Sequence, residues 1–222
     1  MIALIPNVPS DRATRILCVG AHADDIEIGC GGTMLALTEQ LRNVAVDWVV
    51  FSATPERERE ARASADAFLA AAKETTVVVH AFRDGFFPYV GGQIKEEFER
   101  LKERCAPDLI LTHYRQDLHQ DHRMISELTW NTFRKHLILE YEIPKYDGDL
   151  GAPSLFVPLA EATCERKIDY LMEHFRSQRE RSWFSRGVFT AALRLRGLEA
   201  SSPTALAEGF YCRKVTLGME AR

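Results

Sequence analysis

Arg15-Ile16-Leu17-Cys18-Val19-Gly20, running directly into Ala21-His22-Ala23-Asp24-Asp25, is the stretch from which the fold can be read. Six residues rich in apolar and β-branched side chains predict a buried strand, and the polar cluster begins where that strand ends. A second copy of the same grammar lies further on. Asp108-Leu109-Ile110-Leu111-Thr112-His113 is another buried run, followed by Asp117-Leu118-His119-Gln120-Asp121-His122. In an open parallel sheet, ligands bind outside the carboxyl ends of the strands, near the point where the winding reverses. The two polar clusters are therefore expected to meet there, with His119 and His122 on a loop just past a strand.

Between and around these runs, strand-like and helix-like stretches alternate through the first 135 residues, the pattern of a parallel sheet with crossover helices. Met34, Leu37, Thr38 and Leu41 recur at helical spacing, and Val44 to Phe51 is the second strand. Thr54-Pro55 reads as an N-cap with proline at the first helical position. The helix it opens carries Ala61, Ala65, Phe68, Leu69 and Ala72 on one face. Thr75 to Phe82 is the third strand, Phe98, Leu101 and Cys105 mark the next helix, and Leu109 to Thr112 is the fourth strand. Beyond it, Glu140 to Tyr146 and Ser154 to Leu159 are short strands separated by a turn-rich loop, and Ile168, Leu171, Met172 and Phe175 give a further amphipathic helix. Periodicity weakens from Arg176, so residues 176–222 read as a C-terminal extension packed near the site of a single domain, 1–222. The expected class is α/β, a mostly parallel sheet with helices on both faces.

Composition narrows the function. With 28 basic and 32 acidic residues the net charge is −4, which argues against nonspecific nucleic-acid binding. The five cysteines, Cys18, Cys30, Cys105, Cys164 and Cys212, are scattered and never form a C-x-x-C pair, so neither a disulfide framework nor a thiolate zinc site is expected, and a reducing cytoplasm fits best. The first 15 residues lack a sustained apolar segment, and no apolar run reaches membrane-spanning length.

The chemistry of the two clusters is that of an open metal site. His22, Asp25 and His122 supply two imidazoles and one carboxylate, leaving a position for water or substrate. Water on such an ion has its pKa lowered toward about 7, so a neighbouring carboxylate can complete its deprotonation. Asp24 is the natural base. His119, spare once three ligands are assigned, would stabilise an oxyanion or protonate a leaving group if a carboxylate such as Asp117 or Asp121 holds it protonated. That constellation suits amide or ester hydrolysis. Gly29-Cys30-Gly31-Gly32-Thr33 lacks the third glycine of G-x-G-x-x-G, and Asp24, Asp25 and Glu27 beside it would repel a pyrophosphate; a tight turn leading into a helix is the expected use.

Taken with their order and spacing, Ala21 to Asp25 leading into Gly29 to Thr33, and Pro107 to His113 leading into Asp117 to His122, resemble the PIG-L/LmbE deacetylase family over residues 15–125. Weaker likeness continues at Ser177-Gln178 and Ala207-Glu208-Gly209-Phe210. The resemblance implies a Rossmann-like fold and a zinc-dependent enzyme that removes N-acetyl groups from glucosamine-containing substrates. It implies His22, Asp25 and His122 as ligands, Asp24 as general base, His119 as oxyanion stabiliser, and Arg57 or Arg59 as a substrate-binding arginine. Iron, cobalt or manganese could replace zinc. Where the usual motif has proline this chain has Ala23, which changes no ligand.

The leading expectation is thus removal of acetate from an N-acetylated sugar or glycoconjugate, with homo-oligomerisation open. An amidase acting on a larger sugar- or thiol-linked amide is the enzymatic rival, and a noncatalytic metal- or nucleotide-binding module the other class of answer. Arg176, Arg179, Arg181, Arg186, Arg194 and Arg196 face only Glu180 in their stretch. They read either as a solvated or subunit-contacting surface or as a holder for an anionic group on the substrate.

Overall fold

The computed structural model describes residues 11–216. Its seven strands form one sheet in the order β3-β2-β1-β4-β5-β7-β6. The first five, β1 (Thr14–His22), β2 (Val44–Ser52), β3 (Glu74–Val79), β4 (Leu109–His113) and β5 (Leu137–Tyr141), pair in parallel, while β7 (Ala207–Cys212) runs antiparallel to both β5 and β6 (Leu155–Pro158). The chain winds outward from β1 to β3, then returns to lay β4 on the other side of β1. This reversal opens a crevice at the carboxyl ends of β1 and β4, and both polar clusters lie there.

Alternation along the buried strands divides the core into two layers. Ile16 and Cys18 of β1 and Val46, Trp48 and Val50 of β2 meet α1 (Asp25–Gln40), α2 (Pro55–Phe68), α5 (Glu161–His174) and α6 (Arg186–Glu199). Leu17, Val19 and Ala21 with Val49 and Phe51 face the other way, onto α3 (Gly91–Arg104) and α4 (Gln120–Thr132). Period-two burial on both faces is what a strand covered by helices on both sides requires. Thr54 caps α2 as its sequence predicts, accepting the Arg57 N–H at 3.3 Å.

Several expectations need correction. The glycine cluster is no turn: Gly29, Gly31 and Gly32 all lie inside α1, where side chains from three directions approach the helix backbone. A Cβ at Gly29 would stand 2.1 Å from the Tyr141 ring, and one at Gly31 would stand 2.6 Å from Phe68. Gly29→Ala is accordingly expected to destabilise the protein by about 3 kcal/mol or more, at the upper end of overpacking costs, read as a lower urea midpoint. An unchanged midpoint would contradict this close contact.

The fifth strand starts at Leu137, earlier than read, and ends before Pro144, which has no N–H for a ladder. The third strand stops at Val79. Residues 120–132 are helical, so His119 is the N-cap of α4 and His122 sits in its first turn rather than on a loop. Nor is the stretch from Arg176 an appendage: β7 is an internal strand of the sheet. Its Glu208 accepts the N–H groups of Gly32 and Thr33 at 2.9 and 2.7 Å, and Lys167 of α5 donates to Glu208 at 2.6 Å and to the Ile28 carbonyl at 2.7 Å. This buried pair ties β7 and α5 to the middle of α1. Residues 1–10 and 217–222, which include the first ten of the 15 N-terminal residues discussed above, lie outside the described residues. Among the described residues no helix is long and apolar enough to cross a membrane.

Candidate metal centre

His22 is the last residue of β1, Asp24 is the N-cap of α1, and Asp25 is its first helical residue. The strand-to-helix turn thus sends the three side chains into the crevice, where the first turn of α4 delivers His122. His22 Nδ1 lies 3.1 Å from His122 Nε2 and 3.3 Å from Asp25 Oδ2, and His122 Nε2 lies 3.5 Å from the same carboxylate oxygen. Three donor atoms on a tetrahedral ion, each bonded at about 2.0–2.1 Å, are separated by about 3.3–3.4 Å. The triangle has the dimensions of one face of such a site.

The unused nitrogen of each imidazole is held by a carboxylate. His122 Nδ1 is 3.0 Å from Asp117 Oδ2, and His22 Nε2 is 3.3 Å from Asp121 Oδ2 and 3.0 Å from Asp84 Oδ1. Carboxylate–histidine pairs of this kind fix the ring and its tautomer so that the inner nitrogen presents a lone pair. Asp121 is itself pinned by the N–H groups of Gly85 (2.6 Å) and Phe87 (3.1 Å), and Asp117 by Lys145 at 2.9 Å. Asp117→Asn is therefore expected to weaken divalent-metal affinity about 10–100-fold in chelator competition, since His122 loses its charged partner. Wild-type affinity in this variant would show that Asp117 orients nothing.

The electrostatics favour a cation. Asp24, Asp25, Asp84, Asp117 and Asp121 converge, against the cationic side chains of Arg57 and Lys145. Burial alone would lower the pKa of His22, but Asp25, Asp121 and Asp84 outweigh it and raise it well above the usual value. Burial and then His113 push His122 down to about 4, keeping this imidazole neutral. Burial works to raise Asp25, yet the surrounding histidines hold its pKa well below the usual carboxylate range. Asp25 and His122 are thus held in the forms that bind metal, ionised carboxylate and neutral imidazole, whereas His22, with its raised pKa, must shed a proton as an ion binds.

Three further groupings of metal-binding side chains occur among the described residues: His22 with His119 and His122, Asp25 with His113 and His122, and His22 with Asp84 and Asp121. His113 Nε2 accepts the Ala21 N–H at 2.9 Å, so its lone pair is engaged; its ring stacks on His122, centroids 4.0 Å apart, and supports it from behind. Sequence reading passed over His113 as a strand residue, although a histidine closing a buried strand at the crevice was a usable signal. Lys145 and Asp84 were missed because each is distant in sequence from the residues it touches.

Asp24 is buried, and its Oδ1 lies 2.7 Å from Arg57 Nη2. Its Oδ2 is buried with no hydrogen-bond partner among the described residues. Burial raises its pKa while Arg57 opposes the shift. Of the two arginines considered, Arg57 faces the site and Arg59 is exposed. Glu27, one turn along α1, is fully buried and pushed by burial to about 8.

His119 departs from expectation. Its ring is not held by a carboxylate: Asp117 Oδ1 accepts its backbone N–H at 2.8 Å, and its Nδ1 accepts the Asp121 backbone N–H at 3.3 Å. Burial and the neighbouring His22 lower its pKa. A neutral imidazole accepting at Nδ1 carries its proton on Nε2. Of the arginine cluster, Arg196 is buried against Glu142 and Glu199, Arg186 pairs with Glu165 and Asp169, and Arg179 donates to the Met172 carbonyl. These three are bound into the fold and give no support to an anion holder.

A search of curated proteins finds no match. Among solved structures, the N,N'-diacetylchitobiose deacetylase from Pyrococcus horikoshii, in complex with its inhibitor MPG, is 20% identical, with 89% of this chain and 83% of that chain covered and a TM-score of 0.67. The A40926 pseudoaglycone deacetylase Dbv21 is 19% identical over 90% and 96%, with a TM-score of 0.69. The 4-carboxy-2-hydroxymuconate hydratase GalB from Pseudomonas putida KT2440 is 17% identical over 94% and 100%, also at 0.69. At these identities the likeness is one of fold, and that fold carries more than one reaction. The family model described as PIG-L, GlcNAc-PI de-N-acetylase, matches residues 17–133, the span holding β1 through α4 and both polar clusters, and the chain belongs to that family.

Proposed function

We propose that this protein is a metal-dependent hydrolase that removes the N-acetyl group from an N-acetylglucosamine-type sugar or sugar conjugate, releasing acetate and a free amine. The observation that carries the reading is the triangle of His22 Nδ1, Asp25 Oδ2 and His122 Nε2, with edges of 3.1–3.5 Å, beside a buried carboxylate that is not part of it. A structural site closes its coordination and has no use for such a neighbour. Family membership and the two deacetylase structures support the same reaction class.

Zinc, or another divalent transition ion, held by His22, Asp25 and His122 would supply Lewis acidity toward the amide carbonyl and lower the pKa of water. The chain's own residues account for the proton traffic and charge. Asp24, through its unpartnered Oδ2, takes a proton from the attacking water as the new C–O bond forms. Arg57 pairs its charge with the other oxygen, 2.7 Å away. His119 donates its Nε2–H to the developing oxyanion. When the C–N bond breaks, the departing nitrogen takes up a proton, which Asp24 is placed to return.

The rival amidase reading is separated by acyl group. Supplied with glucosamine N-acylated by acetyl or by butyryl, the metal-loaded protein is expected to release acetate with the higher kcat/KM. Preference for the longer acyl group would favour the amidase.

A further inference from the structure

Lys167 of α5 and Glu208 of β7 form an ion pair that is only 3% and 4% exposed and lies outside the ligand triangle. Both partners are spent on the backbone of α1. Glu208 Oε1 accepts the Gly32 N–H at 2.9 Å and its Oε2 the Thr33 N–H at 2.7 Å, while Lys167 Nζ donates to the Ile28 carbonyl at 2.7 Å and to Glu208 Oε1 at 2.6 Å. In an α-helix the N–H of residue 32 serves the carbonyl of residue 28. The ion pair therefore grips both halves of one helical rung from outside. Gly32 makes the approach possible, because a Cβ there would stand 3.0 Å from Glu208 Oε1 and 2.5 Å from Leu159.

That rung separates the first turn of α1 from the rest of the helix. The turn starts at Asp25, directly after Asp24, and the Ile28 N–H holds the Asp24 carbonyl at 3.0 Å while the Ile28 carbonyl is held by Lys167. Ile28 thus links the backbone of Asp24 to the ion pair through two hydrogen bonds. Gly29, Gly31 and Gly32 surround the rung, and glycine weakens a helix by its conformational freedom, so α1 by itself secures its first turn poorly. Stability does not account for the charges. A buried pair loses in desolvation much of what it gains in attraction, and apolar side chains of similar volume often replace it without loss. What apolar side chains do not supply is a directional hold on a carbonyl and two N–H groups.

Building on the proposed metal centre, we infer that Lys167 and Glu208 are positioning residues for the reaction: they clamp α1 at the Ile28–Gly32 rung and so keep Asp25 where it meets His22 and His122, with Asp24 beside it. The clamp acts on the orientation of the first turn more than on the stability of the fold. The C-terminal third of the chain thereby takes part in a site whose three ligands lie far earlier in the sequence.

The test begins with a Lys167→Met, Glu208→Met double variant of the full-length protein, which removes both charges at similar volume and leaves the Ile28 carbonyl and the Gly32 N–H free to bond each other. Its urea midpoint is expected at or above that of wild type. Its zinc affinity, read by chelator competition, is expected to fall about ten-fold or more, and kcat for acetate release at saturating zinc about 100-fold with KM little changed. In Lys167→Arg, whose guanidinium keeps donors for both Glu208 and the Ile28 carbonyl, zinc affinity is expected within about three-fold of wild type. A folded double variant with wild-type zinc affinity would overturn the inference, as would a Lys167→Arg protein impaired as much as the double variant, the mark of a packing role. If the double variant does not fold, Lys167→Met alone decides, since it leaves Glu208 on its two N–H groups and frees only the Ile28 carbonyl: a folded protein with weakened zinc binding is expected, and unchanged affinity or loss of fold overturns the inference. Wild type separates this failure from that of the reading beneath it. No zinc bound by wild type refutes the metal centre and the clamp with it, whereas zinc bound equally by wild type and variants refutes the clamp alone.

Discussion

Asp24→Asn lowers turnover by about 10²–10⁴-fold while leaving fold and metal content as in wild type; this is the result expected if Asp24 is the base. The substitution keeps the side-chain shape and leaves an amide oxygen that can still meet Arg57, which lies 2.7 Å from Oδ1 in the wild-type site. It removes the proton-accepting oxygen, the one with no partner. The separation of turnover from metal content is the informative part, because Asp25 next door holds the opposite profile. Retention of near wild-type turnover by Asp24→Asn, measured by acetate release with metal content determined in parallel, would mean that another group is the base.

Asp25→Asn and His122→Ala are expected to lose bound metal altogether at concentrations that saturate wild type, a larger effect than the roughly 10–100-fold assigned to supporting residues such as Asp117. Asp25 Oδ2 forms two of the triangle's three edges, at 3.3 and 3.5 Å, and also accepts the His22 backbone N–H at 2.6 Å, so its charge both binds and shapes the site. His122 is buried, and its nitrogens serve the triangle and Asp117 respectively. Elemental analysis of the folded variants reads the outcome directly. Stoichiometric metal in both would place the ion elsewhere, with the grouping of His22, Asp84 and Asp121 the first alternative.

Much of this architecture was legible because the deciding signals are local. Arg15 to Gly20 and Leu109 to Thr112 are short apolar runs whose ends fall at polar clusters, and a parallel sheet brings such ends together wherever its winding reverses. The meeting of His22, Asp25 and His122 follows from that topology. What sequence could not give is the contact made at long range. Lys145 reaches Asp117 across 28 residues, and Glu208 reaches Gly32 across 176. The second involves β7, a short strand buried at all but its last residue, and buried strands lose the alternation that marks half-exposed ones. His119 was misjudged for a related reason. Two carboxylates near it in sequence suggested a protonated ring, but each is already committed, Asp117 to His122 and Asp121 to His22 and two backbone N–H groups.

The glycine cluster teaches the same lesson from packing. Read locally, four small residues after a strand mean a turn; in the folded chain they let Tyr141, Phe68 and Leu159 approach one helix, keeping α1, and with it Asp24 and Asp25, against the sheet.

The central claim is tested most directly by stripping the wild-type protein of metal with a chelator, adding zinc back in steps, and following acetate release from an N-acetylglucosaminide at each step. Activity absent from the stripped protein, rising to a plateau at one zinc per chain, with one free amine formed for each acetate, is the result this account predicts. Undiminished acetate release from metal-free protein, or no acetate at any zinc loading, would contradict it.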